Sequence, residues 1–283
     1  MRGYCIRFVV LVMSMMVVFQ AGALSTGYMY VHYDQASPSS IISYSLNDSA
    51  WTSVYAGVYN LHIQATPGRY GNFTADKEAT QLIDSLSPTR FDHGGGVDAV
   101  VAQTFCIDIN QLAPNNNAWN YYELRTLDGA PGGAPGTLTM TDQAMTDITK
   151  LWYNYRGILD SGTMTERNFA AGVFQTCIWE IVNERSGDYD LLSGAFKISN
   201  AAIAAEGNAW LTSLSSLPDV PASELQLRAL YSDLWQDFAV LMPVASAGGA
   251  NAIPEPMTMA GLGMAVAGIG AYLRKRGIAK KIQ

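Results

Sequence analysis

Three side chains in the interior of this chain could do chemistry together: Cys106, Gln175 and Cys177. Cys106 lies in Thr104-Phe105-Cys106-Ile107-Asp108, a strand-like run with large apolar neighbours. Gln175 and Cys177 lie in the run from Ala170 to Val182, which reads as helix. At about 100° per residue, Gln175 shares a face with Ala171, Gly172, Ile178, Trp179 and Val182. A carboxamide on so apolar a face must find partners or cost about 1–3 kcal/mol. The small residues one turn earlier leave room for another segment to come close. A cysteine thiolate on that segment could attack the Gln175 carboxamide, and loss of ammonia would leave an internal Cys–Gln thioester. Such a bond lasts in water only if it is shielded, a task that suits Phe105 and Trp179.

The same residues admit two other outcomes. Cys106 and Cys177 are the two cysteines of the part that the ends of the chain mark for export, and exported pairs normally join. That disulfide would close a loop of about 70 residues and stabilise by roughly 4 kcal/mol in the chain-entropy model. Residues 175 and 177 sit about 200° apart on a helix, so they cannot both face Cys106. The remaining outcome is two unlinked core thiols.

Other candidates for chemistry are weaker. His32, His62 and His93 are far apart and show no zinc-ligand spacing. Asp92-His93 beside three glycines reads as a solvated loop, and neither Ser186–Asp190 nor Asn115-Asn116-Asn117 follows a calcium-loop spacing. Phosphate loop, dinucleotide fingerprint, nucleophile elbow and paired carboxylates are all missing. The sequence implies no cofactor, no metal and no turnover enzyme, and at most a single-turnover acylation.

The elements that must position these residues follow from the patterning. From Leu24 to about Leu112 the signals are strands and turns: Tyr28–Tyr33, Ile41–Leu46 before the Asn47-Asp48-Ser49 turn, Val54–Ile63 with Gly57 marking a bulge, and a buried strand over Val97–Ile109. The Gly/Pro run Gly129–Gly136 reads as a linker or exposed loop before the first helix. Helices then follow from Thr141-Asp142, from a Thr165 cap to about Glu184, and from Asn200 to Leu214. Gln236–Pro243 reads as a closing strand. The expected class is α+β: a β-rich, sandwich- or barrel-like N-terminal half, a subdomain of about three helices and a closing strand, plus a C-terminal transmembrane helix.

The two ends give the destination. Arg2 and Arg7, the apolar run Phe8–Phe19 and Ala21-Gly22-Ala23 form a signal peptide over 1–23, with signal peptidase as its partner. After the body 24–244 and a small-residue spacer 245–253 come Pro254-Glu255-Pro256, an uncharged stretch 257–273 and the cations Arg274, Lys275 and Arg276. Seventeen helical residues cover roughly 25 Å, near the lower limit for a bilayer span. The cations act as a topology stop and keep everything upstream outside. Without both ends, the body carries ten basic and 23 acidic residues, about −13. That balance argues against nucleic acid.

The tail 254–283, in its order of rigid tripeptide, apolar helix and basic end, resembles the PEP-CTERM sorting signal. The resemblance implies processing by an exosortase, inner-membrane anchoring by the helix, and release to the cell surface, extracellular matrix or exopolysaccharide. The body carries a second resemblance. Phe105-Cys106-Ile107 and Gln175-Thr176-Cys177-Ile178-Trp179, together with Tyr55-Ala56-Gly57 and Gln236-Asp237-Phe238, are similar to the thioester domain of bacterial surface adhesins. Carried over, Cys106 is the thioester cysteine and Gln175 the acyl donor, in a single-use covalent tether to surface amines or hydroxyls. Phe174 and Cys177 depart from that pattern, and the alternative is a non-covalent structural or carbohydrate-binding component stapled by Cys106–Cys177.

Overall fold

The structure, a computed structural model, describes residues 27–64, 77–86, 89, 91–92, 98–114, 118–131, 139–184 and 187–244. The signal peptide, the spacer and the sorting tail with Pro254, Glu255, Pro256, Arg274, Lys275 and Arg276 lie outside these residues, as do His93 and Asn115–Asn117. Among the described residues, no helix is long and apolar enough to cross a membrane.

Among the described residues, eight antiparallel strands organise the body. β1 (Gly27–Leu46) and β2 (Thr52–Gln64) form a long hairpin, in which Asn47 and Asp48 take positive φ at the turn. Asparagine and aspartate tolerate that region better than other side chains. β4 (Asp98–Cys106), β5 (Asn120–Arg125), β7 (Gln226–Tyr231) and β8 (Phe238–Met242) complete a ring in the order β2-β1-β5-β7-β8-β4, and β4 pairs back to β2. The sheet therefore closes as a barrel and leaves no long free edge within that ring. Two short strands sit outside it: β3 (Phe91–Asp92) on β4, and β6 (Phe196–Ile198) on the end of β1. Burial alternates along the strands, which fills the interior with Val31, Leu61, Ile63, Ala102, Tyr122 and Phe238.

The register of β1 on β2 shifts between Ala36 and Ser39, opposite Gly57. A Cβ at Gly57 would lie 2.3 Å from the Pro38 carbonyl oxygen, so the bulge demands glycine, as expected from the sequence.

Among the described residues, four α-helices accompany the barrel: α1 (Lys77–Ser85), α2 (Asp142–Tyr155), α3 (Met164–Asn183) and α4 (Ala201–Leu214). Thr141 caps α2 through the Ala144 N–H, as expected, and Asn200 caps α4 through those of Ala202 and Ile203. The second expected helix starts earlier than Thr165. Thr163 and Glu166 form a reciprocal capping box, which satisfies two orphan donors where Thr165 would satisfy one. α1 lies in a region expected to hold only strands and turns; it is short, and Glu78 ties it to Arg228 of β7 through both carboxylate oxygens. The Gly/Pro run was expected to be exposed, yet Ala130 at its start is fully buried.

α3 is the central helix. It packs on β1 and β2 on one side and on α2 and α4 on the other, and twelve of its residues from Ala170 to Ile181 are buried. Gly172 faces β1 so closely that an added Cβ would lie 2.8 Å from Ser40 Cβ. Ser40 Oγ donates to the Asn168 carbonyl at 2.8 Å, which fixes the contact. The room expected beside Ala171 and Gly172 is thus taken by β1.

Candidate functional site

β4 and α3 meet at Cys106 and Gln175. β4 pairs with β2 as far as Thr104 and with β8 through Phe105 and Cys106. Where β2 leaves it, the Gln175 carboxamide substitutes for a strand. Its Oε1 accepts from the Cys106 backbone N–H at 3.0 Å, and its Nε2 donates to the Cys106 carbonyl at 2.7 Å. A neighbouring strand residue would exchange the same pair of bonds. This satisfies a fully buried amide that would otherwise be costly, and it joins residues 69 apart in the chain.

The Cys106 sulfur is held as well. The Trp179 indole N–H, one helical turn beyond Gln175, donates to Sγ at 3.2 Å. Burial pushes the Cys106 thiol well above its usual range. The Trp179 donor opposes this, as does the backbone of Asp108, while the buried carboxyls of Asp108 and Asp237 push the thiol further up. The resting sulfur is therefore a neutral thiol facing two groups that favour its anion.

Three tyrosines lie close enough to be influenced by a charge on that sulfur. Tyr44, Tyr59 and Tyr122 are all raised, first by burial, with Cys106 among the further causes. The Tyr59 hydroxyl donates to the Tyr55 carbonyl and that of Tyr122 to the Gln236 carbonyl. Tyr44 stacks on Phe196 and tilts against Trp179. Sequence reasoning missed these tyrosines, because they come from three strands whose convergence no local pattern records.

Phe105 was expected to shield the same bond. It is fully buried, but successive strand residues face opposite ways, and its ring packs on Phe174 and Trp152, with Arg156 nearby. The ring in contact with the Cys106 sulfur is that of Trp179, and the three tyrosines lie near enough to feel its charge.

The alternative Cys106–Cys177 disulfide is not formed: both cysteines are free and buried. Cys177 points the other way around α3, with Sγ 3.6 Å from the Gly207 carbonyl oxygen of α4. The angular offset between residues 175 and 177 already separates the two positions. Burial raises the Cys177 thiol as well, so it behaves as a small core side chain.

The weaker candidates also find places. His32 and His62 are direct cross-strand partners on β1 and β2, with rings stacked at 5.6 Å. Asp190 organises its own loop by accepting from the Leu192 N–H, the Ser193 hydroxyl and the Asn208 amide. Among the described residues, no group of three or more His, Cys, Asp or Glu could hold a metal ion.

No protein-family model matches the chain, and neither does any curated protein. Among solved structures, the chain is similar to the N-terminal thioester domain of a surface protein from Clostridium perfringens. The two share 10% identity at a TM-score of 0.37, over 75% of this chain and 97% of that one. This is a coarse likeness of the body.

Proposed function

We propose that this chain is an exported surface or matrix protein whose body forms an internal thioester between Cys106 Sγ and the Gln175 acyl carbon. The observation that carries the reading is the double hydrogen bond between the Gln175 carboxamide and the Cys106 backbone in a fully buried site. The Cys106 N–H that holds Oε1 is also a donor for the oxyanion that forms there when sulfur attacks. In that attack the S–C bond forms, the C–N bond breaks, and ammonia leaves with the thiol proton. The thioester then reacts once: an incoming amine or hydroxyl takes the acyl group, the C–S bond breaks, and the sulfur recovers a proton. The result is a covalent attachment rather than turnover.

The destination belongs to the same proposal and is supported by the sequence of the two ends. A signal peptide over 1–23 exports the body. The tail, with Pro254-Glu255-Pro256, the stretch 257–273 and the stop Arg274-Lys275-Arg276, anchors it and presents it to an exosortase.

Intact mass of the protein tests the bond. The expected product is lighter than the sequence by one ammonia, and methylamine converts it to the N-methylamide with release of one thiol. Gln175→Ala and Cys106→Ala should both lack the deficit and the adduct. An adduct that survives Gln175→Ala would refute the assignment. A deficit of two hydrogens removed by reductant would put the disulfide back in its place.

A further inference from the structure

We infer that Tyr44 is the gate through which a nucleophile reaches the Cys106–Gln175 bond, an assignment that rests on the thioester reading above. Cys106, Gln175 and Trp179 are all fully buried, so no amine can reach the acyl carbon without an opening. A fully buried group reacts through local fluctuations, and the opening that breaks the fewest interactions dominates.

The candidates for that opening are the rings around the sulfur. Tyr59 and Tyr122 are 3% and 0% exposed, and each hydroxyl is tied to a backbone carbonyl. Trp179 is tied to the sulfur itself. Tyr44 differs on both counts: it is partly exposed, and its hydroxyl makes no hydrogen bond among the described residues. Its ring is held by ring contacts, with centroids 6.0 Å from Phe196 and 6.4 Å from Trp179. Its backbone is fixed between Thr52 of β2 and Ile198 of β6. The side chain can therefore swing while the strand stays. A swing exposes the Trp179 side of the site, the side on which the thiol leaves.

The gate also selects by size. A small amine needs a brief opening, whereas a bulky one needs the ring fully displaced.

Two arms with the full-length protein test this. In the first, the rate of methylamine adduct formation is measured for wild type, Tyr44→Ala and Tyr44→Phe. Tyr44→Ala should react about tenfold faster, equivalent to about 1.4 kcal/mol of barrier; Tyr44→Phe keeps the ring and should react like wild type. In the second arm, Gln175→Ala removes the acyl donor and leaves Cys106 as a thiol. Its alkylation by iodoacetamide, read by peptide mapping, should speed up about tenfold when Tyr44→Ala is added. This arm needs no thioester. A wild-type chain without the ammonia deficit sinks the thioester reading, and acceleration in the second arm would still support Tyr44 as the gate to Cys106. Leu227→Ala in β7 serves as the control for general destabilisation. The gate is overturned if Tyr44→Ala leaves both rates unchanged, or if Leu227→Ala raises them as much. Should Tyr44→Ala not fold, Tyr44→Leu retains apolar bulk, removes the ring and carries the same expectation.

Discussion

Glu180 is a group whose titration this fold should feel between pH 5 and 8. It sits on α3 beside Trp179, fully buried. Its Oε1 accepts from the Asp190 N–H at 2.7 Å, and its Oε2 has no hydrogen-bond partner among the described residues. Burial, with Glu184 and Asp190 pushing the same way against that one N–H, raises its carboxyl from 4.5 to about 8. The fold therefore holds Glu180 protonated at neutral pH, whereas the unfolded chain ionises it. Below the unfolded value both states are protonated and the group contributes nothing. Between the two values each pH step destabilises the fold by about 1.4 kcal/mol, and above the folded value the cost levels off. The interval corresponds to about 5 kcal/mol in full and about 3 kcal/mol at neutral pH, both upper bounds. Glu180→Gln removes the titration while keeping an oxygen for Asp190, at a cost of about 1–3 kcal/mol for its own buried amide donors. The variant should match or fall below wild type near pH 5 and exceed it by about 1–3 kcal/mol at pH 8. Urea unfolding of both proteins at pH 5, 6, 7 and 8 measures this, and the difference between them cancels the titrating groups that do not interact with Glu180. A difference that stays flat across those pH values, or favours wild type as pH rises, refutes the reasoning.

The remaining expectations concern the site and its supports. Trp179→Phe keeps an aromatic ring but removes the donor to Cys106 Sγ, so methylamine capture, followed by mass, should slow about tenfold or more, since hydrogen bonds to charged groups contribute about 1.5–3 kcal/mol. Equal rates would leave Trp179 as a shield alone. Because burial lifts the Cys106 thiol well above its usual range, the reactive thiolate is scarce, and ammonia release on refolding should rise about tenfold per pH unit from 7 to 9; a plateau below pH 8 would contradict this. Gly172→Ala forces a methyl against Ser40 and should cost about 1–3 kcal/mol in chemical denaturation. Gly57→Ala should cost more, because the obstacle is the Pro38 backbone rather than a side chain that can turn; an equal or smaller loss would show that the bulge relaxes.

The parts of this body that local chemistry dictates were readable. Gly57 stands out as the glycine inside an alternating run, and the Thr141 cap and the Asn47-Asp48 turn each follow from residues within four positions of one another. So does the helical face that puts Gln175 opposite Cys177. What could not be read is what the barrel brings together from far away. β5 and β7 went unrecognised, although Asn120–Arg125 alternates buried and less buried residues, because six residues give too little period to separate strand from loop. The ring closure of β4 on β2, and with it the meeting of Tyr44, Tyr59 and Tyr122 around one sulfur, depends on pairings over dozens of residues. Phe105 was misassigned for a related reason: adjacency in sequence puts it next to Cys106, but the pleat turns it to the α2 side.

Protection and reactivity at this site have the same physical origin. The burial that would keep water from a thioester also raises the thiol that must ionise to make it. A site left at that would be stable and inert. In the proposed reaction two N–H groups would offset the problem, each at a different atom: the Cys106 amide at the carbonyl oxygen that would gain charge during attack, and the Trp179 indole at the sulfur that would carry charge before attack and after departure. Both are fixed before any reaction, by the end of β4 and by one turn of α3, so neither needs to reorganise. Cys177 illustrates what the arrangement excludes. It is equally buried and lies only two residues from Gln175, but its sulfur meets the Gly207 carbonyl oxygen, and burial with Glu180 and Glu206 nearby raises its thiol. What each sulfur meets, an indole N–H at Cys106 and a carbonyl oxygen at Cys177, more than its burial, separates the cysteine proposed for acyl chemistry from the one that fills space.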